Sequence, residues 1–208
     1  VELFGKNATV PFINGCDNSY HPCQILADAL TILEKFGTLD VNLMYIGAKN
    51  NVFNSHVEFF SKMKKGTLYG LTPLVNETAC GPDFYEEAKK SGHYIELDPA
   101  MSMEEAKEYA NKMDVLYTDT WVDMEFFNNP AYQKQKEETL AKMMPYQLNG
   151  DFTKDSKAIV FHDMPMHVGF EISQDVVDKN LDHILDEAEN RRHAEKAVMY
   201  TLCLLYTS

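Results

Sequence analysis

Val41-Asn42-Leu43-Met44-Tyr45-Ile46-Gly47-Ala48-Lys49-Asn50-Asn51 is the stretch from which the fold follows. The run Val41 to Ile46 is nearly all apolar and ends at Gly47, which reads as a strand buried on both faces. Asn51 to Lys64 then carries helical spacing, and Thr67 to Thr72 is a second buried strand. Strand, helix, strand within thirty-odd residues is the unit of a parallel sheet.

The same alternation extends in both directions. Upstream, His21-Pro22-Cys23-Gln24 opens a helix, with Pro22 at the first helical position, where its missing N–H costs nothing. Ile25, Leu26, Ala29, Leu30, Leu33 and Phe36 recur at helical spacing, and Gly37 stops the run. Downstream, Pro82 to Ser91 reads as a helix and His93 to Leu97 as a strand. Ser102-Met103-Glu104-Glu105 has capping-box spacing, and Asp114 to Thr118 is a strand running into Asp119-Thr120-Trp121. A polar helix over Pro130 to Met144 follows, then a short strand, Ala158 to Phe161, leading into His162-Asp163-Met164-Pro165. The pattern ends with a short helix at Gln174 to Lys179, a strand at Ile184-Leu185 and a helix from Glu187 to about Tyr200. The expected class is α/β, a Rossmann-like parallel sheet with helices on both faces. Ligands of such sheets bind at the carboxyl ends of the strands. That rule selects Gly47 to Asn51, Pro73 onward, Asp119 to Met124 and His162 to Pro165.

Composition narrows the function. The 208 residues carry 19 Lys+Arg against 32 Asp+Glu, a formal charge of −13, and are 45% hydrophobic. The length and apolar content supply a sizeable core. The acidic balance argues against a nucleic-acid or anionic-membrane partner, since either needs a basic stripe. Apolar runs are too short for a membrane span, and Val1-Glu2-Leu3-Phe4-Gly5-Lys6 is no signal peptide. Cys16, Cys23, Cys80 and Cys203 form no Cys-x-x-Cys pair or dense disulfide pattern, so the expected compartment is the reducing cytoplasm.

Polar residues at the strand ends are the chemical candidates. Asn50-Asn51 offers two amides where a helix starts; a helix cap uses the same residues. Asp119 and Asp123 flank Trp121 and could hold an ammonium group, or form a turn. His162, Asp163 and His167 invite a metal reading, but their spacing fits no zinc pattern, and Pro165 blocks a helix that would align the imidazoles. The segment Glu189-Asn190-Arg191-Arg192-His193 reads by itself as a solvated helix face. No glycine-rich phosphate loop or nucleophile elbow is present.

Together, five ordered segments resemble the aspartate and ornithine carbamoyltransferases, most closely the ornithine branch. Val10 to Gly15 followed by His21-Pro22-Cys23-Gln24-Ile25-Leu26-Ala27-Asp28 is similar to the His-Pro-x-Gln signature with its lead-in. Gly47 through Asn50-Asn51 to Asn54-Ser55 is similar to Gly-Asp-x-x-Asn-Asn. Thr118-Asp119-Thr120-Trp121-Val122 looks like Thr-Asp-Thr-Trp, and Phe161 to Pro165 stands where His-Cys-Leu-Pro is expected. Asp186-Glu187-Ala188-Glu189-Asn190-Arg191 matches the final motif.

The resemblance implies transfer of a carbamoyl group from carbamoyl phosphate to an amine, with no metal, cofactor or covalent intermediate. His21, Gln24 and Arg191 would be catalytic. His21, Gln24, Arg191 and the carbonyl of Met164 would bind carbamoyl phosphate. Asn51, Asp119, Asp123, Met124 and Asp163 would bind the acceptor. A homotrimer, small-molecule substrates and a place in arginine metabolism are further expectations. The competing possibility is a ligand-binding or regulatory protein that kept the fold and lost the chemistry.

Departures from the family pattern carry expectations too. The phosphate-binding Ser-x-Arg-Thr motif is absent, so the chain is expected to be the acceptor-binding part of a longer protein, inactive alone. Residues 1–20 would then end the carbamoyl phosphate domain, 21–36 form an interdomain helix, 37–186 the acceptor domain and 187–200 a returning helix, with a doubtful tail at 201–208. Asp123-Met124-Glu125 replaces Ser-Met-Gly, Asp163 replaces a cysteine and Ala48 replaces an aspartate. The added carboxylates point to a cationic acceptor with little carboxylate character, ornithine itself remaining the alternative.

Overall fold

The computed structural model of the protein describes residues 1–122 and 124–207. After a short helix α1 (Glu2–Asn7) comes α2 (Pro22–Phe36), with Pro22 in its first turn and Gly37 at φ 68° closing it. The sheet and its crossovers follow as β1 (Asn42–Lys49), α3 (Asn51–Met63), β2 (Thr67–Val75), α4 (Pro82–Lys89), β3 (Tyr94–Glu96), α5 (Met103–Ala110) and β4 (Val115–Thr118). Then come α6 (Met124–Phe127), α7 (Gln133–Met143) between two 3₁₀ turns, α8 (Gly150–Thr153), β5 (Ile159–His162) and α9 (Gln174–Thr207).

The five strands pair in parallel in the order β3-β2-β1-β4-β5. The chain builds outward from β1 to β3, then crosses back to start β4 on the other side of β1. The strand order therefore reverses between β1 and β4, and their carboxyl ends splay apart to leave a crevice. Both faces of the sheet are covered, as the apolar run of β1 requires. Leu43 and Tyr45 face one core with Phe53, Phe60, Tyr85, Tyr94, Tyr117 and Phe161, beneath α3 and α4. Met44 and Ile46 face the other, with Leu71, Ala106, Leu116, Phe152, Val160, Val176 and Ile184, beneath α5, α8 and α9. Period-two alternation between two buried layers is what makes such a strand read as continuously hydrophobic.

Several sequence expectations need correction. There is no strand at Ile184-Leu185, and the short helix and closing helix expected on either side of it are one α-helix, α9. Val176, Val177, Ile184, Glu187, Asn190 and Ala194 are buried while Leu181 and Leu185 are exposed, the three-and-four spacing of a single helical face. Ile184-Leu185 is one turn of that face, and no Gly or Pro interrupts the segment. The boundary expected at 186/187 falls inside this helix, and residues 201–207 continue it. The polar helix at 130–144 is α7 with a 3₁₀ turn at each end, and Pro145 lacks the amide that would continue the α-helical ladder past Met144. The short helices α1, α6 and α8 gave no sequence signal. Among the described residues, no helix is long and apolar enough to cross a membrane.

Candidate active site at the strand-order reversal

Asn50 closes β1 and caps α3: its Oδ1 accepts from the Phe53 N–H at 2.9 Å. Its Nδ2 donates to Asp119 Oδ2 at 2.6 Å, so the ends of β1 and β4 are joined across the crevice by one amide–carboxylate bond. Asp119 is 5% exposed, and its other oxygen accepts from the Thr120 N–H at 2.6 Å. Asn51, in the first turn of α3, donates to the carbonyl of Asp17 at 2.8 Å. Asn54 does the same to Ser19. Asp17 in turn accepts from the N–H groups of Ser19 and Tyr20, each at 2.8 Å. The loop before α2 is thereby pinned to the start of α3, and it delivers His21.

His21 is the N-cap residue of α2, and its own N–H donates to Ser55 Oγ at 2.8 Å. Its imidazole Nδ1 is buried without a hydrogen-bond partner. Burial first, and then the Arg191 guanidinium, hold this imidazole below its usual pKa, so near neutral pH it is an uncharged donor and acceptor.

The fourth wall is the loop after β5. His162 is fully buried and serves the loop internally: Nδ1 accepts from the Met164 N–H at 3.0 Å, leaving Nε2–H to face Glu171 at 3.3 Å. Both ring nitrogens are thereby committed within the loop, which His162 braces. Met164 sits at φ 51° before a cis peptide bond to Pro165. Asp163 Oδ1 is buried without a partner, and its carbonyl accepts from Arg191 Nη2 at 2.9 Å. Burial above all, and next the neighbouring Asp119, push the Asp163 carboxyl well above the usual carboxylate range.

His21, Asn50, Asn51, Asp119, Asp163, Met164 and Pro165 line one cleft of about 210 Å³. Of the residues singled out in the sequence, His21, Asn51, Asp119, Asp163 and Met164 are thus brought together. Gln24 and Arg191 stand directly behind. The Gln24 amide nitrogen donates to Asp28 and Glu187, and its oxygen accepts from Arg191, which bridges it to the Asp163 carbonyl. Asp123 lies outside the described residues, and Met124 begins α6. Sequence reasoning missed the roles of Ser55, Asp28 and Glu171. For Asp28 a signal existed: a carboxylate four residues after Gln24 on the apolar face of a helix. A larger hollow of about 490 Å³ has Trp121, Glu77, Tyr132 and Lys136 among its walls.

Fold and site together define an α/β domain with a polar cleft where its strand order reverses. Residues 39–202 match the family described as aspartate/ornithine carbamoyltransferase, Asp/Orn binding domain. An ornithine carbamoyltransferase of Caldicellulosiruptor saccharolyticus is 36% identical, the match taking in 98% of this chain and 64% of that protein. One from Archaeoglobus fulgidus is 34% identical over 97% of this chain and 62% of its own. The crystal structure of the Pyrococcus furiosus ornithine carbamoyltransferase superposes with a TM-score of 0.77 at 34% identity, covering 95% of this chain and 61% of that one. The chain belongs to the aspartate/ornithine carbamoyltransferase family and falls with its ornithine branch. It spans a little over three fifths of the length of these relatives.

Proposed function

We propose that this protein, in its full-length form, transfers the carbamoyl group of carbamoyl phosphate to a primary amine and releases phosphate. The observation that carries this is the convergence of His21, Asn51, Asp119, Asp163 and Met164 on one cleft at the reversal between β1 and β4. The amine nitrogen attacks the carbamoyl carbon, the carbon–oxygen bond to phosphate breaks, and phosphate leaves with that electron pair as the amine gives up a proton. His21 donates to the carbonyl oxygen as negative charge builds there, the group that gains most in the transition state. Arg191 adds fixed positive charge, and Gln24 with the Met164 carbonyl holds the carbamoyl amide. Asn51, Asp119, Asp163 and the Asp123-Met124 segment hold the acceptor. Alignment of two bound reactants supplies the rest of the acceleration.

The acceptor in this proposal is a cationic amine. The relatives, ornithine carbamoyltransferases, point to ornithine, whereas a second acidic residue beside Asp119 favours a molecule poorer in carboxylate, such as a diamine or guanidino-amine. The same reading takes the working form to be a cytoplasmic homotrimer in arginine metabolism, with the phosphate subsite supplied by sequence beyond this chain. Phosphate release by the full-length protein, followed against ornithine, putrescine, agmatine, lysine, aspartate and N-acylated ornithines, tests it. Turnover with ornithine makes Asp163 a tolerated variant; turnover only with carboxylate-free amines makes it a specificity residue. No turnover with any amine replaces the enzyme by a ligand-binding protein that kept the family fold.

A further inference from the structure

We propose that Asp28 and Glu187 are positioning residues that lock the Gln24 carboxamide with its oxygen toward the carbamoyl donor, making the site selective for carbamoyl over acyl groups of the same shape. The inference rests on the carbamoyl-transfer reading and adds to it a cause for donor specificity.

Gln24 is 1% exposed, and its Nε2 donates to two carboxylates at once: Asp28 Oδ1 at 2.7 Å, one turn along α2, and Glu187 Oε1 at 2.9 Å, from α9. Its Oε1 accepts from Arg191 on the other side. A carboxamide is nearly symmetric in shape, so a half-turn exchanges oxygen and nitrogen with little steric change, and only the partners decide the orientation. Here the flipped amide would set its oxygen against the buried Asp28 carboxylate and its nitrogen against the Arg191 guanidinium. Both contacts would be repulsive, and burial strengthens the repulsion.

The lock is itself braced. Glu187 Oε2 accepts from the His162 N–H at 2.8 Å. Burial first, and the adjacent Asp28 next, push Glu187 well above the usual carboxylate range. Two carboxylates buried side by side cost stability that a pair of apolar residues of similar volume would not. Orientation of one amide is what they supply in return. The chemistry fits the donor: a carbamoyl –NH₂ needs an acceptor, which the Gln24 oxygen is, whereas an acetyl –CH₃ gains nothing from it.

Carbamoyl phosphate and acetyl phosphate, which differ only in –NH₂ against –CH₃, separate positioning from mere packing. Glu187→Gln and Asp28→Leu, each made in the full-length protein, roughly keep the buried volume but take an acceptor from this network: the leucine has none, and the amide at 187 can turn its oxygen to Gln24 Nε2 or to the His162 N–H but not to both. The expected result is carbamoyl phosphate binding weakened about tenfold, the size of one hydrogen bond, with acetyl phosphate inhibition unchanged. Equal weakening of both ligands, or no change in either, overturns the proposal. Should the variants not fold, the wild-type protein still decides. Neutron diffraction that finds the Gln24 amide deuterons facing Asp28 and Glu187 supports the lock, and the opposite orientation overturns it. A wild-type protein that binds neither phosphate overturns the carbamoyl-transfer reading, and the neutron measurement then judges the lock separately.

Discussion

His21 reaches the cleft with an Nδ1 that no protein group satisfies, and its side chain supports little else, since only its backbone N–H is bonded to Ser55. His21→Ala in the full-length protein should lower kcat about 10²–10³-fold, the usual effect of removing an oxyanion donor. The melting temperature should stay within a few degrees; an unchanged kcat would remove His21 from the mechanism. Asp163 makes a pH prediction. Its pKa is raised in the fold by burial and by Asp119, so the native state binds a proton that the unfolded chain has released above about pH 4. Stability from this group is therefore full below the unfolded pKa and declines as pH rises toward the folded one. Asp163→Asn should be close to wild type in melting temperature near pH 4 and more stable than it at pH 7. Equal melting temperatures at both pH values would contradict the raised pKa.

At the scale of the element, α9 and the start of α3 are the informative pieces. Leu185 is 49% exposed in the middle of a continuous helix. Leu185→Pro removes a helical hydrogen bond and clashes with the preceding turn, so it should cost about 3 kcal/mol or more in a urea titration. A loss within about 0.5 kcal/mol, the usual range for an innocuous surface change, would mean that no helix runs through residue 185. Asn50 joins two elements, capping α3 and pairing with Asp119. Asn50→Ala should destabilise by about 1–3 kcal/mol, the cap together with the partner lost to a buried carboxylate. If the loss were only that of an exposed cap, a few tenths of a kcal/mol, the β1–β4 bridge would have no energetic weight.

On the scale of the molecule, α2 and α9 form one layer seam bound by buried polar contacts. These are Gln24 with Glu187, and the Asn190 amide with Thr31 Oγ1 at 3.0 Å and Glu34 at 2.7 Å. Both helices carry Gln24, Asp28, Glu187 and Arg191, so the rear of the site is rigid only while the seam is closed. Hydrogen exchange should show the amides of residues 24–32 and 184–194 opening together in the slowest class, because such cooperative units follow packed motifs. The largely exposed segments 1–13 and 199–205 should exchange in the fast class. Independent opening of α2 and α9 would separate the two halves of the proposed catalytic set.

The sequence by itself determined the alternating β and α order, the carboxyl-end rule that pointed to Asn50-Asn51, Asp119 and His162 to Pro165, and the family motifs. Each of these rests on local periodicity or local spacing, which a chain carries without its tertiary contacts. Ile184-Leu185 was misread because a pair of apolar residues has no period, and only the sheet they pack against shows which face is buried. The strand order likewise appears only on folding, because β1 and β4, far apart in sequence, pair without any local mark. So does the difference between residues that line the cleft, such as Asp163, and those that stand behind it, such as Gln24. Most of all, tertiary structure decided the buried polar ladder. Asp28, Gln24 and Glu187 come from helices 163 residues apart along the chain from Gln24 to Glu187, and nothing short of packing makes them one hydrogen-bonded unit.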